Sequence, residues 1–248
     1  MDKELYKKKY QSDEEVSSYS NIFSSPSEKM ISELEIFILN EVVKKLIRKE
    51  SYLDVACGFG RIAKALSKNF SKTFALDSSE NMLKTIKSSK IKTILSDASN
   101  LPFPNKTFDF ITCFRFIMNV PKSDRLKILK EINRVMKDDG IFACNLHINR
   151  YSARGIATII RNAVTKQKQP NMSYMQIKKE PKKSGFEISS FYGIKILPYY
   201  GKYIFFKYNA LFSVEKQLSK SPLKFFADGY VIICKKVNNM SFKERVFI

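Results

Sequence analysis

A glycine turn between a short strand and a helix constrains this chain more than any other feature. Residues 51–56, Ser-Tyr-Leu-Asp-Val-Ala, form an apolar run that contains one acid, and Gly58 and Gly60 follow it directly. Because glycine has no Cβ, the backbone can turn sharply there and a ligand can lie close to the main chain. Apolar residues then recur at helical spacing up to Leu66. The stretch therefore predicts a strand, a tight turn and a helix N-terminus that faces an anionic ligand.

Strand-like apolar runs alternate with helical patterns along the rest of the chain. Parallel strands joined through helices need right-handed crossovers, and the resulting sheet is covered on both faces. We therefore expect an α/β fold, Rossmann-like and doubly wound, with ligands bound at the carboxyl ends of the strands. The runs predicted to be strands are residues 51–56, 73–77, 91–95, 108–114, 141–147, 186–191 and 230–234.

Helix signals surround these strands. Ser25 followed by Pro26 predicts a capped helix start. Ser123 is predicted to cap a later helix that Asp138-Asp139-Gly140 ends, and residues 153–164 predict another helix. Residues 1–24 are polar without periodicity and predict a mobile lead-in.

Two aromatic-containing segments have more than one interpretation. Tyr19 in the lead-in would cover a pocket as part of a lid, or only pack against the core. Residues 199–226 contain many tyrosines and phenylalanines, which would line an apolar substrate pocket, contact a partner or membrane, or supply core. Residues 167–171 predict a loop and residues 175–184 a helix closed by Gly185.

Composition limits the protein class. A hydrophobic content of 44% is that of an ordinary globular protein, no apolar run is long enough for a transmembrane segment, and the N-terminus lacks a signal-peptide core, so we expect a cytoplasmic protein. Four separated cysteines and one histidine match no metal-site spacing, so no metal is predicted. The net charge of +20 is spread as lysine over most segments, which favours a solvated surface over a nucleic-acid or membrane contact.

Five sequence elements, in order, resemble the motifs of class I S-adenosylmethionine-dependent methyltransferases. The likeness covers about residues 50–147, with Ala56 standing where the family often has glycine. It implies a seven-stranded, mainly parallel sheet with an antiparallel last strand. The matching elements are residues 53–61, Asp77, residues 96–98, residues 108–111 and residues 129–140.

The resemblance also implies which residues hold the cofactor, S-adenosyl-L-methionine, and its product S-adenosyl-L-homocysteine. Asp77 lies 19 residues after Gly58, near the spacing at which an acid reaches ribose hydroxyls, although a plain turn residue fits that position equally well. Asp97 and Ala98 would face the adenine. The full set implied to bind the cofactor is Asp54, Ala56, Gly58, Gly60, Asp77, Ser78, Met82, Asp97, Ala98 and Phe114.

The acceptor side is less constrained. His147 is the one histidine and ends the fifth strand, where it would act as a base or only form a structural hydrogen bond. Further candidates for contacts to the acceptor are Tyr19, Arg115, Asn119 and Asn149. General resemblance favours a small-molecule or lipid-like acceptor methylated at O or N by in-line displacement.

Three alternatives remain open. Gly58-x-Gly60-x-x-Ala63 also satisfies the dinucleotide fingerprint of a nicotinamide oxidoreductase. The basic surface would suit an RNA or protein methyltransferase. A cofactor-binding scaffold without turnover is the third alternative. In each case we expect a single domain of residues 1–248, with residues 1–48 as an N-terminal lid or helix, 49–147 as the cofactor-binding core, and 148–248 as substrate-side helices, aromatic insertion and last strands.

Overall fold

The computed structural model describes residues 12–147, 149–165, 181–197 and 207–237. The strands are β1 (Ser51–Val55), β2 (Lys72–Asp77), β3 (Ile91–Leu95), β4 (Phe108–Cys113), β5 (Met136–His147), β6 (Phe186–Ile194) and β7 (Gly229–Lys236). The helices are α1 (Asp13–Ile22), α2 (Pro26–Lys44), α3 (Arg61–Leu66), α4 (Glu80–Lys84), α5 (Lys122–Val135), α6 (Ala153–Thr165) and α7 (Tyr208–Leu218). Short 3-10 turns occur at Ser67–Asn69, Ile117–Asn119 and Pro222–Phe226.

The strands form one seven-stranded sheet in the order β3-β2-β1-β4-β5-β7-β6. β1 to β5 pair in parallel, while β7 is inserted between β5 and β6 and runs antiparallel to both. The order reverses beside β1, so the carboxyl ends of β1, β2 and β4 border one crevice. The predicted Rossmann-like sheet with an antiparallel last strand is confirmed.

Both faces of the sheet are buried. Tyr52 and Phe110 pack on one face with residues of α2, while Leu53 and Ile111 pack on the other with residues of α5. Neighbouring residues of a strand point to opposite faces, so continuous apolar strands require cover on both sides. α2 supplies part of that cover and begins where it was predicted, because the Ser25 side chain accepts the N–H of Glu28.

Several local predictions were wrong. Residues 13–22 of the predicted mobile lead-in form α1, which begins with a reciprocal capping box between Ser12 and Glu15. Pro121, rather than Ser123, occupies the N-cap position of α5. Asp138-Asp139-Gly140 does not end α5 as predicted, since the helix already ends at Val135 and β5 begins at Met136 and runs through these residues. Position 140 is close to the backbone oxygens of residues 108 and 137, which leaves no room for a Cβ.

Some predictions fall outside the described residues. These are the loop at 167–171, most of the helix at 175–184 and the aromatic residues between 199 and 206. Of the predicted aromatic insertion, Tyr208 and Phe212 pack against the core that contains α2, whereas Phe225 and Phe226 are exposed. The division of the chain into lid, cofactor-binding core and substrate side stays a prediction.

Candidate active site

The glycine turn adopts a backbone that few residues tolerate. Ala56, Gly58 and Gly60 all have positive φ, at 53°, 54° and 76°. Gly58 faces open space, because a Cβ added there would approach only Tyr19, at 3.9 Å. A Cβ at Gly60 would instead lie 2.8 Å from Ile86 Cδ1. Gly60 therefore allows close packing at the start of α3 and is not among the residues that line the cleft, so its cofactor contact stays a prediction.

Two buried acids organise the turn from behind. Asp54 on β1 accepts hydrogen bonds from Thr112 Oγ1 at 2.7 Å and from the N–H of Ala63 at 3.1 Å. Burial raises the pKa of Asp54 to about 7 despite these bonds. At the end of β2, Asp77 accepts the N–H of Gly58 at 2.8 Å, and burial raises its pKa as well. The two carboxylates thus hold the turn and the start of α3 against strands β1 and β2.

The crevice beside the turn, called here the glycine-turn cleft, brings together nearly all the residues predicted to hold a cofactor. Asp97 follows β3 and shapes its own loop by accepting the N–H of Ser99 at 2.8 Å. Met82 and Ala98 add buried apolar surface. The predicted residues that line the cleft are Asp54, Ala56, Gly58, Asp77, Ser78, Met82, Asp97, Ala98 and Phe114.

An aromatic cover lies over the turn. Tyr19 and Phe23 come from α1 and the residue after it, and Phe59 is the residue between the two turn glycines. Their ring centroids lie 5.3 to 6.1 Å apart in edge-to-face pairs, an arrangement that stabilises aromatic contacts. All three line the cleft. Sequence reasoning singled out Tyr19 but missed Phe23 and Phe59.

A buried ion network connects α2 to the cleft wall. Glu35 of α2 is fully buried and accepts hydrogen bonds from Arg61 Nη2 at 2.6 Å and from Asn145 Nδ2 at 2.7 Å. Arg115, just after β4, pairs with Glu28 at 2.6 Å. Burial would raise the pKa of Glu35, yet the charges of Arg61 and Arg115 hold it below its ordinary value. Glu35 was missed, although it lies on the apolar face of its helix, four residues after Ile31.

His147 is held in one protonation state and one tautomer by its neighbours. Asn145 Oδ1 accepts the N–H of Arg115 at 2.6 Å, which fixes the orientation of this amide. Asn145 Nδ2 must therefore donate to His147 Nε2, 3.1 Å away, so the ring carries its proton on Nδ1. Burial and the charge of Arg115 lower the pKa of His147 to about 4. The lone pair that a base would need is already engaged by Asn145.

A second cavity adjoins the glycine-turn cleft and shares Tyr19 and Arg115 with it. At its far end Asp228 faces Lys195 Nζ at 3.5 Å and Arg154 Nη1 at 3.4 Å. Burial lowers the pKa of Lys195, whose backbone has a positive φ of 59°. The other residues that line this cavity are Glu28, Ile31, Asn119, His147, Ile194 and Gly229.

The structure brings the predicted acceptor residues together, with one exception. Tyr19, Arg115, Asn119 and His147 line the second cavity. Asn149 is fully buried, and its amide donates to the carbonyl oxygens of residues 225 and 227 at 2.9 and 3.0 Å. Its side chain therefore connects the segment before α6 to residues 225–227, and it does not face a ligand site. Lys195 and Asp228 were missed because no local sequence pattern connects them.

Comparison with known proteins agrees with this geometry. A family model described as "Methyltransferase domain" matches residues 53–144, which run from β1 into β5 and carry most of the glycine-turn cleft. Residues 53–144 are thus similar to a methyltransferase domain. A demethylmenaquinone methyltransferase of Staphylococcus aureus (strain MRSA252) is 42% identical over 100 residues, which cover 37% of this chain and 41% of that protein. The match thus spans less than half of this curated relative.

Solved structures share the fold of the methyltransferase domain and its flanking segments. A SAM-dependent methyltransferase of Thermotoga maritima, described as a possible histamine N-methyltransferase, superposes with a TM-score of 0.60 at 20% identity over 89% of this chain and 95% of that one. An S-adenosylmethionine-dependent methyltransferase of Clostridium acetobutylicum gives a TM-score of 0.60 at 16% identity over 89% and 98% of the two chains. At such identities the likeness establishes the fold alone.

Proposed function

We propose that this protein binds S-adenosylmethionine in the glycine-turn cleft and catalyses methyl transfer to a small-molecule acceptor in the second cavity. The observation that carries the proposal is the placement of two acids, Asp77 and Asp97, at neighbouring strand ends beside the exposed backbone of the turn. Acids at these positions suit the hydroxyls of a ribose and the amino group of an adenine. The methyltransferase domain match supports this choice over a nicotinamide oxidoreductase.

The residues present fit the cofactor. Asp77 would accept from the ribose hydroxyls, and Asp97 with Ala98 would border the adenine, which Met82 would pack against. The turn backbone leaves open space at Gly58 for the methionyl part. Arg115 Nε is buried and has no hydrogen-bond partner among the described residues. An unpaired donor of this kind suits a carboxylate, such as that of an amino acid group.

The chain's own contribution is to position the reactants and exclude water. S-adenosylmethionine supplies a methyl group that is already activated as a sulfonium. The aromatic cover of Tyr19, Phe23 and Phe59 shields the turn from solvent, and Arg115 stands between the cleft and the second cavity. Bringing two reactants together in aligned geometry lowers the barrier of a displacement without further chemistry from the protein. Because His147 is neutral and its lone pair is engaged, positioning accounts for the site better than base catalysis does.

A small-molecule acceptor is supported by the form of the second cavity. Its walls come from distant parts of the chain and combine apolar Ile31 and Ile194 with charged groups at both ends. The relative in Staphylococcus aureus is by its name a methyltransferase of demethylmenaquinone, which favours a quinone-like or other lipophilic acceptor here too. The family match ends at residue 144, however, and so leaves out most of this cavity.

Calorimetric titration with S-adenosylhomocysteine tests the cofactor assignment. The wild-type protein is expected to bind saturably, and Asp77→Asn to bind roughly tenfold more weakly because an acceptor for the ribose is lost, a difference of about 1.4 kcal/mol. Asp139→Asn is the matched control, since Asp139 lies at the opposite end of the sheet and pairs with Arg48 at the surface. Absence of binding by the wild type would disprove the proposal.

A screen with radiolabelled donor tests the acceptor class. Incorporation of label into quinones or other small molecules, and not into RNA or protein, is expected. Label recovered in RNA or protein alone would contradict the small-molecule assignment while leaving the cofactor assignment standing.

A further inference from the structure

Helix α6 turns its apolar face outward. Ile156, Ile160 and Val164 follow one another at four-residue spacing, so they share one face, and they are 53%, 62% and 78% exposed. The opposite face, which packs on the protein, carries Gly155 and Thr158. A surface helix of a globular domain normally buries its apolar stripe. In α6 the arrangement is reversed, and nothing among the described residues covers the stripe.

A second apolar segment is joined to the start of this helix. The 3-10 turn at Pro222–Phe226 exposes Leu223, Phe225 and Phe226, the last of them by 63%. Buried Asn149, just before α6, donates hydrogen bonds to the carbonyl oxygens of residues 225 and 227. The outward apolar residues of α6 and of this turn are together called the docking face.

The two segments that form the docking face carry charges of one sign. Residues 149–165 contain three arginines and residues 219–227 contain two lysines, and neither segment contains an aspartate or glutamate. Asp228, the next acid along the chain, is buried and faces Lys195 and Arg154. The whole chain has a net charge of +20. The face therefore combines apolar side chains with a basic border, which complements an anionic surface that has an apolar interior.

We propose that the docking face binds the surface of an anionic lipid bilayer, with α6 lying in the plane of the interface. Of the described helices, none has the length and apolar character needed to cross a membrane, and α6 has 13 residues. An apolar stripe flanked by arginine and lysine is the arrangement that inserts shallowly beneath the head groups. A second copy of this chain fits less well, because a two-fold contact would bring the basic borders of both copies together.

The face also borders the second cavity. Arg154, in the first turn of α6, lines that cavity and pairs with Asp228. A protein bound through α6 would thus hold the mouth of the cavity close to the lipid surface. Membrane binding itself depends only on the docking face and is independent of the proposed methyl transfer.

Vesicle flotation with the full chain tests the proposal. Phosphatidylcholine vesicles that contain about 30 to 40 mol% phosphatidylglycerol are compared with vesicles of pure phosphatidylcholine, at low and at high salt. The protein is expected to float with the anionic vesicles and to lose most of that binding at high salt. The double variant Ile160→Ser/Val164→Ser is expected to bind the anionic vesicles at least roughly tenfold more weakly, because several methylene groups that would be buried in the lipid are lost. Phe226→Ser is a second, independent variant of the same face.

Ile47→Ser is the matched control, because Ile47 is 88% exposed and lies outside the docking face. It should float like the wild type, and all variants should keep the wild-type melting temperature. Equal flotation of the double variant and the wild type, or no flotation with anionic vesicles, would overturn the proposal. A dimer in solution that dissociates in the double variant would assign the face to a second copy instead.

Discussion

The glycine-turn cleft and the second cavity share Tyr19 and Arg115 but are built differently. The floor of the cleft is formed by the glycine turn and by residues that directly follow neighbouring strands, so this part is set by local sequence. The second cavity is closed by charged groups from distant segments, for example Lys195 after β6 and Asp228 before β7. Its shape therefore depends on ion pairs and hydrogen bonds that form only after the sheet is complete.

Because of this difference, we expect the cleft and the second cavity to differ in how well they tolerate amino-acid substitutions. The floor of the cleft should survive most side-chain substitutions other than those of Asp54 and Asp77, because the turn and the strand ends keep their positions. A cavity closed by buried ion pairs loses its form when one partner is removed, since the other charge is left unpaired away from water. Arg115 is the exception in the cleft wall, because it also lines the second cavity and pairs there with Glu28.

The largest expected effect is that of Glu35→Gln. Glu35 is fully buried and lies 2.6 Å from Arg61, whose side chain is 12% exposed. Removing the carboxylate charge leaves the guanidinium uncompensated, and breaking a buried pair in this way costs about 3–5 kcal/mol. Urea unfolding should show a loss of that size in the free energy of unfolding.

Glu41→Gln provides the control for this loss in the same helix. Glu41 pairs with Lys44 at the same distance of 2.6 Å, but at the surface. Exposed pairs contribute little because water screens the two charges, so this variant should unfold nearly as the wild type does. Similar losses in both variants would show that burial does not govern the Glu35 pair.

The second prediction concerns pH. The folded-state pKa of His147 is about 4, below its ordinary value of 6.5. As pH falls from about 6.5 to 4, the unfolded chain therefore takes up a proton that the folded chain does not, and stability is lost. The contribution of His147 should be on the order of 2 kcal/mol between pH 7 and pH 4.5. Urea unfolding at both values should show a smaller loss for His147→Gln than for the wild type.

The titration of Asp54 changes stability with pH in the opposite direction to that of His147. For this reason the pH dependence of the variant is compared with that of the wild type. Its folded-state pKa of about 7 lies above its ordinary 3.8, so its contribution to stability falls as pH rises through that range. Both proteins in the comparison keep Asp54, so its effect cancels in the difference. An identical pH dependence in wild type and His147→Gln would contradict the buried, neutral state of the histidine.

More of the residues that line the cleft than of those that line the second cavity could be predicted from the sequence, and the reason is physical. Strand, turn and acid recur at fixed spacings, so Asp77 and Asp97 could be placed from residues near them in the chain. Lys195 and Asp228 could not, because their meeting depends on the antiparallel insertion of β7 between β5 and β6. Glu35 left a signal that was not used, a charged residue within an apolar helical stripe.

Predictions of boundaries failed where a tertiary contact overrode a local pattern. The helix stop expected at Asp138-Asp139-Gly140 is instead extended backbone in β5, where Asp138 pairs with Lys106 and Asp139 with Arg48. The lead-in was judged irregular, but its apolar residue Val16 is buried and α1 forms around it. Aromatic residues of α1 and its end then meet Phe59 over the turn.

The third prediction tests whether the glycine-turn cleft binds S-adenosylhomocysteine independently of the second cavity. Arg115 borders both regions and has an unpaired buried Nε, whereas Lys195 borders the second cavity alone. Arg115→Gln should therefore weaken S-adenosylhomocysteine binding roughly tenfold, or about 1.4 kcal/mol, while Lys195→Met should change it by less than about twofold. Titration calorimetry compares the two variants directly. A strong effect of Lys195→Met would mean that the cavity and the cleft form one site.

The smallest expected effect is a gain from Ala56→Gly in the turn itself. Ala56 has a φ of 53°, a left-handed conformation that costs a residue with a Cβ about 1 kcal/mol and glycine almost nothing. Part of this gain is offset because glycine loses more chain entropy on folding, so a net stabilisation of about 0.5 kcal/mol is expected in thermal or urea unfolding. Ala65→Gly within α3 has ordinary helical surroundings and should instead lose about 0.5–1 kcal/mol. If both variants were destabilised alike, the cleft would depend on the side chain at position 56, and a backbone-built turn would no longer distinguish it from the second cavity.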